Sequence, residues 1–186
     1  ADGSWRIDPE RDALRMANHT RVFHAQPTYG VVKAAVTKQF YSGEGAIQYA
    51  PEAIARSNVD VLKTETQRRN FLLAYDRFGR QDARRYLSEQ IEKTITTEEL
   101  DHRMDRYGLN PCGEILGADF HCNLSEIHLN QLDPQDWEGI DRAFRAGGLI
   151  AAALLHHRFQ EPRYQQSREW DPIVGVSFTG FFDFCV

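Results

Sequence analysis

The sequence predicts an α/β protein in which helices alternate with the strands of a mostly parallel sheet or barrel. Residues 173–178 form a nearly continuous apolar run, which is typical of a strand covered on both faces. Residues 122–129 alternate between two sets of side chains, as in a strand with mixed faces. Segments with helical periodicity separate these strand candidates, and such alternation is the pattern of βα units.

The first half of the chain is predicted to contain one strand among several helices. Apolar residues recur at helical spacing over residues 27–41, and Gly43 ends that helix. Gly43-Glu44-Gly45 is a turn, and residues 46–50 form a strand that stops at Pro51, which suits the first turn of a helix. Further helices are predicted over residues 62–75, 82–93 and from Thr97 to Tyr107.

In the second half, Asp133-Pro134 opens a long helix that runs from Trp137 to about His156. Ala146, Gly147 and Gly148 lie within this helix and should allow close helix packing. The strand over residues 173–178 follows.

Composition excludes several classes of protein. Apolar residues make up 41% and charged residues 26% of the 186 residues, as in an ordinary globular domain. The net charge of −5 gives no basic surface for nucleic acid, and the longest apolar run, residues 149–155, is far shorter than the ~20 residues of a membrane span. We therefore expect neither nucleic acid nor a membrane as partner. Three cysteines do not make a disulfide framework, so we also expect a cytoplasmic protein.

Both ends of the sequence are unusual for a complete domain. The chain begins at Ala1 without an initiator Met, and it stops on an apolar run, residues 181–186. We therefore interpret residues 1–186 as a single partial domain, an internal fragment of a longer protein.

One segment concentrates reactive groups on a loop. Asn110-Pro111-Cys112-Gly113-Glu114 combines an amide, a thiol and a carboxylate with residues that disfavour a helix. In an extended chain Cys112 and Glu114 point to the same side and could share one substrate. The alternative for an isolated cysteine is a small buried apolar residue. Cys122 follows ten residues later, in the alternating strand.

Asn110 to Ile115, together with Phe120-His121-Cys122-Asn123-Leu124-Ser125-Glu126, closely resembles the active-site loop of ribonucleotide reductases. The best match is to the monomeric, adenosylcobalamin-dependent class. Further stretches, around residues 14–20, 38–58 and 174–180, are similar to that class, so the resemblance covers residues 10–186 approximately. It implies that the chain is part of a ten-stranded α/β barrel, with a central finger loop around Cys112 that Ile115 or Leu116 closes.

The resemblance also implies a role for each site residue. Cys112 would be the thiyl radical that removes hydrogen from C3′ of the ribose, and Glu114 would be the general base for the 3′-hydroxyl. Asn110 would bind the ribose hydroxyls through its amide. Cys122 would be one of two redox-active thiols, whose partner lies upstream of this fragment. Cys185 has no motif around it and receives no role.

The whole enzyme that this family suggests reduces ribonucleoside triphosphates to deoxyribonucleotides. Adenosylcobalamin would be the radical source and thioredoxin the reductant, and a deoxynucleotide effector would bind outside this fragment. The residues that bind cobalamin are not identified, and we expect the fragment to be inactive alone.

A non-catalytic zinc-binding or interaction domain is the alternative. Cys112, His121, Cys122 and His128 are of the ligand types that zinc prefers. Their spacing fits poorly, because there is no Cys-x-x-Cys pair and His121 and Cys122 are adjacent. A Cys–His hydrolase is weaker still, since thiols and histidines often occur near each other in sequence by chance.

Overall fold

The computed structural model describes residues 19–43, 45–110 and 113–186, and it is a mixed α/β structure, as predicted. It consists of two compact units, one that ends at Leu116 and one that spans Gly117–Val186. The strands among the described residues pair in twos and form no closed barrel. No helix in the described ranges is long and apolar enough to cross a membrane.

A parallel strand pair with one connecting helix opens the described part of the first unit. Strand β1 (Thr20–Phe23) pairs with β2 (Ala46–Tyr49), and helix α1 (Tyr29–Ser42) connects them. The side chain of Thr28 caps the start of α1 by accepting a backbone hydrogen bond at 3.4 Å. The helix ends where Gly43 adopts a left-handed conformation, with φ of 70°. Both α1 and β2 were predicted, whereas β1 was not.

Four helices then supply the core of this unit. They are α2 (Ala50–Ser57), α3 (Glu65–Phe78), α4 (Arg80–Glu89) and α5 (Thr97–Asp105). Their largest buried apolar side chains, with Leu62 from the segment between α2 and α3, pack into one cluster: Ile54, Leu62, Phe71, Leu87 and Met104. Two short strands follow, β3 (Gly108–Leu109) and β4 (Leu116–Gly117).

A buried polar network joins α2 to α5. The fully buried side chain of Asn58 donates to the carbonyl oxygens of Ile54 at 2.9 Å and Arg103 at 3.0 Å. Its oxygen accepts from the guanidinium groups of Arg103 at 3.2 Å and Arg106 at 3.3 Å. The buried Arg103 also binds the carboxylate of Asp60 at 2.9 Å. Because an asparagine amide has two donor and two acceptor positions, Asn58 is fully satisfied.

The second unit contains another parallel strand pair with helices in its connection. Strand β5 (Asn123–His128) pairs with β6 (Val174–Thr179) over their whole lengths. A 3-10 turn at Leu129–Gln131 and two helices, α6 (Trp137–Leu154) and α7 (Pro162–Trp170), connect the two strands. Helix α8 (Phe181–Cys185) follows β6.

Helix α6 packs against one face of the β5–β6 pair at Gly147. A Cβ atom built on Gly147 would lie 2.9 Å from Cδ1 of Ile127 and 3.2 Å from Cγ1 of Val176. The hydroxyl of Ser125 donates to the Gly147 carbonyl oxygen at 2.8 Å. The prediction that glycine permits close packing of this helix is therefore confirmed at Gly147, and its packing partner is the strand pair.

The burial of β6 differs from the prediction. Its apolar side chains are about half exposed, Val174 at 47%, Val176 at 42% and Phe178 at 49%, rather than covered on both faces. The contact of Val176 with Gly147 and the alternation of side chains place all three on the face that packs against α6, so α6 covers this face only in part.

Capping also moves the start of one helix away from its predicted residue. The helix predicted from residue 62 begins at Glu65, because the side chains of Thr64 and Gln67 each bond to the other's backbone amide. The turn predicted at Gly43-Glu44-Gly45 is described only in part, since Glu44 lies outside the described residues. So do residues 1–18, which contain most of the first stretch that resembles the reductases.

Candidate functional site

The loop between β3 and β4 carries three of the four predicted site residues, Asn110, Cys112 and Glu114. Asn110 is 6% exposed, and its backbone N–H donates to the carbonyl oxygen of Ile115 at 3.2 Å. Its own carbonyl oxygen accepts from the Gly113 amide at 3.0 Å. Gly113 has φ of 82°, a conformation that strains other residues. The backbone of Asn110 is therefore bonded to the backbones of both Gly113 and Ile115.

The side chain of Asn110 holds the far side of this loop. Its Oδ1 accepts hydrogen bonds from the backbone amides of Glu114 at 3.0 Å and Ile115 at 2.9 Å. The sequence prediction assigned this amide to the ribose and missed its bonds to the loop. A signal was present, because asparagine side chains often bond to nearby backbone amides in turns.

Glu114 presents an exposed side chain on a backbone that Asn110 holds in place. This arrangement suits a carboxylate that must meet a proton of a bound molecule. Ile115 bonds to Asn110 twice, through its carbonyl oxygen to the Asn110 N–H and through its amide to Oδ1. Cys112 and the neighbouring Pro111 lie outside the described residues. Of the predicted pair of thiol and carboxylate, the structure therefore describes only the carboxylate residue, Glu114.

Cys122 lies in the second unit, directly before β5, and it is partly buried. The sequence predicted it on the strand itself, which is wrong by one residue. The strand begins at Asn123 because the ladder with β6 starts there, opposite Val174. The side chain of Asn123, 5% exposed, strengthens this start by donating to the carbonyl oxygen of Ile173 at 3.0 Å.

The face of the β5–β6 pair opposite α6 is polar and largely exposed. Ser125 and Ile127 face α6, and side chains alternate between the two faces of a strand. The residues at the alternate positions therefore form this opposite face. Its members, which pair in register across the two strands, are Leu124 with Gly175, Glu126 with Ser177 and His128 with Thr179. Nε2 of His128 lies 4.0 Å from the carboxylate of Glu126. The same alternation in the sequence assigns Cys122 to this set.

His121 belongs to an aromatic cluster rather than to this polar face. Its ring centre lies 4.6 Å from that of Phe159, which also contacts the rings of His157 and Tyr164. The guanidinium group of Arg168 lies over the Phe159 ring at 5.0 Å. The cluster therefore fixes the segment between α6 and α7.

The zinc hypothesis gains no support from the described side chains. Among them, no group of three or more His, Cys, Asp or Glu residues is placed to hold a metal ion. Of the four proposed ligands, Cys112 lies outside the described residues, His121 packs on an aromatic ring, and His128 faces Glu126.

Comparisons with protein-family models, with curated proteins and with solved structures found no match to this chain.

Proposed function

We propose that the chain is part of the catalytic barrel of an adenosylcobalamin-dependent ribonucleoside-triphosphate reductase. The observation that carries the proposal is the loop between β3 and β4. Its motif places a thiol, Cys112, two residues before a carboxylate, Glu114, and Asn110 bonds to the backbone on the carboxylate side.

The loop residues would act on the ribose in one sequence of steps. The Cys112 thiyl radical takes the hydrogen atom from C3′, which leaves a thiol on the protein and a radical on the substrate. Glu114 takes the proton of the 3′-hydroxyl as general base. The 2′-hydroxyl then leaves as water with a proton from the redox-active thiols, and the substrate radical must be reduced. After reduction, Glu114 returns its proton to the 3′-oxygen, and Cys112 returns a hydrogen atom to C3′ and is again a radical.

Cys122 would supply part of that reduction. It and a second thiol, upstream of residue 1, give two electrons and two protons as they form a disulfide, which thioredoxin reduces after each turnover. Cys122 is partly buried and adjoins the polar face of the β5–β6 pair. A partly shielded thiol beside polar side chains suits an electron donor to a bound sugar.

In the second unit, the difference between the two faces of the β5–β6 pair supports a barrel. Helix α6 covers one face of the parallel pair, as helices cover the outside of an α/β barrel. The opposite face carries polar side chains: Glu126, His128, Ser177 and Thr179. Helices packed on this face as well would bury these groups away from water, which costs free energy. A polar cavity for a nucleotide is the better environment for these side chains.

When bound, adenosylcobalamin supplies the radical chemistry, and the chain supplies position and electrostatics. The thiol of Cys112 fits this chemistry, because a thiol hydrogen is weakly bound. We assign no residue of the chain to binding the cobalamin itself.

The test is a matched pair of cysteine variants in the full-length enzyme. Cys112→Ser should abolish both the radical signal in electron paramagnetic resonance and product formation, because a hydroxyl hydrogen is too strongly bound to replace a thiol hydrogen. Cys185→Ser is the control, since Cys185 is exposed on α8 and has no assigned role. Normal product from Cys112→Ser would refute the proposal.

Metal analysis separates the proposal from the zinc hypothesis. We expect the purified chain to contain no stoichiometric zinc after dialysis. A tightly held zinc ion that is lost in Cys122→Ser or His128→Ala would favour the rival function instead.

A further inference from the structure

The oxygen of the Asn110 side chain already has two partners within its own loop. It accepts from the Glu114 amide at 3.0 Å and from the Ile115 amide at 2.9 Å. A carbonyl oxygen has two lone pairs, so these two bonds fill its acceptor positions. A ribose hydroxyl could therefore meet this side chain only at the Nδ2 group.

We infer that Asn110 is a positioning residue that fixes the backbone of Glu114 through Oδ1, an inference that rests on the proposed role of Glu114 as general base. Asn110 is 6% exposed, whereas the Glu114 side chain is exposed. Burial of the Asn110 side chain shields the two bonds from competition with water. The bonds therefore hold the backbone of Glu114, while its carboxylate remains accessible. A general base acts only within hydrogen-bond reach of its proton, and a fixed backbone limits where the carboxylate can be.

Asn123 provides a natural contrast because it uses the other half of its amide. It is buried to a similar degree, at 5% exposure, but its Nδ2 donates to the Ile173 carbonyl oxygen at 3.0 Å. Aspartate keeps the acceptor atoms of asparagine and loses the donor. Asn→Asp should therefore preserve the structural bonds of Asn110 and break the bond of Asn123.

The first experiment measures amide hydrogen exchange on the ¹⁵N-labelled chain at neutral pH. Asn110→Ala should speed exchange at the Glu114 and Ile115 amides on the order of tenfold, because each loses its acceptor. Asn110→Asp should leave both rates within about threefold of wild type, since aspartate keeps the acceptor atoms and with them both hydrogen bonds. As the matched control, Asn123→Asp should speed exchange in the β5–β6 ladder.

The second experiment measures turnover and KM in the full-length reductase. Asn110→Ala should lower kcat, and Asn110→Asp should restore most of it with KM close to wild type. Such rescue distinguishes an acceptor that positions Glu114 from a donor that binds the ribose.

Two outcomes would overturn the inference. One is equal exchange at Glu114 and Ile115 in Asn110→Asp and Asn110→Ala, or wild-type exchange in the alanine variant. The other is a protected loop in Asn110→Asp together with a lost kcat or a raised KM, because Nδ2 would then be the important group. If the wild-type protein reduces no nucleotide, the proposed function fails, while the exchange rates still decide whether Oδ1 holds the loop.

Discussion

The packing of α6 on the strand pair predicts opposite effects for alanine at two adjacent glycines. A Cβ atom on Gly147 would lie 2.9 Å from Ile127, 3.2 Å from Val176 and 3.3 Å from the hydroxyl of Ser125. A Cβ atom on Gly148 would have nothing within 4 Å. The two positions share a helix and differ in whether they face the sheet, so each variant is the control for the other.

The magnitude follows from two opposing terms. Alanine is favoured over glycine inside a helix by roughly 0.5–1 kcal/mol, so Gly148→Ala should raise the free energy of unfolding by about that amount. Gly147→Ala has the same gain, but it overpacks the interface at a cost of roughly 1–3 kcal/mol. The Cδ1 atom of Ile127 can move away. Ser125 cannot do so without losing its hydrogen bond to the Gly147 carbonyl oxygen at 2.8 Å. We therefore expect Gly147→Ala to be less stable than Gly148→Ala by ~1–3 kcal/mol.

The assay is urea unfolding together with amide exchange in β5 and β6, which reports on the second unit directly. Exchange in these strands should be faster in Gly147→Ala than in Gly148→Ala by about 5- to 140-fold, since 1.4 kcal/mol corresponds to roughly tenfold in an equilibrium constant. Equal stability of the two variants, or a more stable Gly147→Ala, would refute the close packing of α6.

Three further predictions concern the first unit. Asn58→Ala should lower the free energy of unfolding by about 2–4 kcal/mol in urea titrations, because it removes four buried hydrogen bonds to Ile54, Arg103 and Arg106, and a loss below about 1 kcal/mol would contradict a closed network. Partial burial and the hydrogen bond to Asp76 raise the pKa of Tyr49 above its ordinary value. Folding favours the protonated phenol, so this stabilisation is complete below pH ~10 and falls as the pH rises further. Tyr49→Phe should accordingly reduce the difference in urea midpoint between about pH 9 and about pH 11, and an unchanged difference would argue against the assignment. Glu114→Gln in the full-length reductase should keep the radical signal and slow turnover on the order of 10²–10⁴-fold, whereas turnover near wild type would exclude Glu114 as the base.

The elements that were predicted from the sequence are those with a local physical signal. Gly43 and Pro51 mark the end of α1 and the start of α2, and both boundaries lie within one residue of the prediction. Helix α7 has no apolar stripe, and its buried residue is Ser167, which donates to the carbonyl oxygen of Ala118. A helix without an apolar stripe gives no periodic signal, although Pro162 at its first turn was a usable sign.

Strand β1 was missed for a different reason. Its four residues, Thr20–Phe23, alternate too briefly to show a period, and the strand is defined by its pairing with β2. Pairing between segments that are far apart in the sequence depends on the whole fold, and no local pattern encodes it. The same limit applies to the burial of β6, which depends on how many elements surround it.

At the candidate site, residue types predicted the chemistry and left the geometry open. Asn110 and Asn123 are the same amino acid at nearly equal exposure, yet one uses its oxygen and the other its nitrogen. The difference arises from the backbone groups that each side chain meets. Asn110 meets two backbone N–H groups of its own loop, whereas Asn123 meets a carbonyl oxygen beside a strand. An amide accepts or donates according to its surroundings, so a motif can name an asparagine without stating its role. For Asn110 the surroundings favour a residue that shapes the loop, and its effect on the substrate would then pass through Glu114.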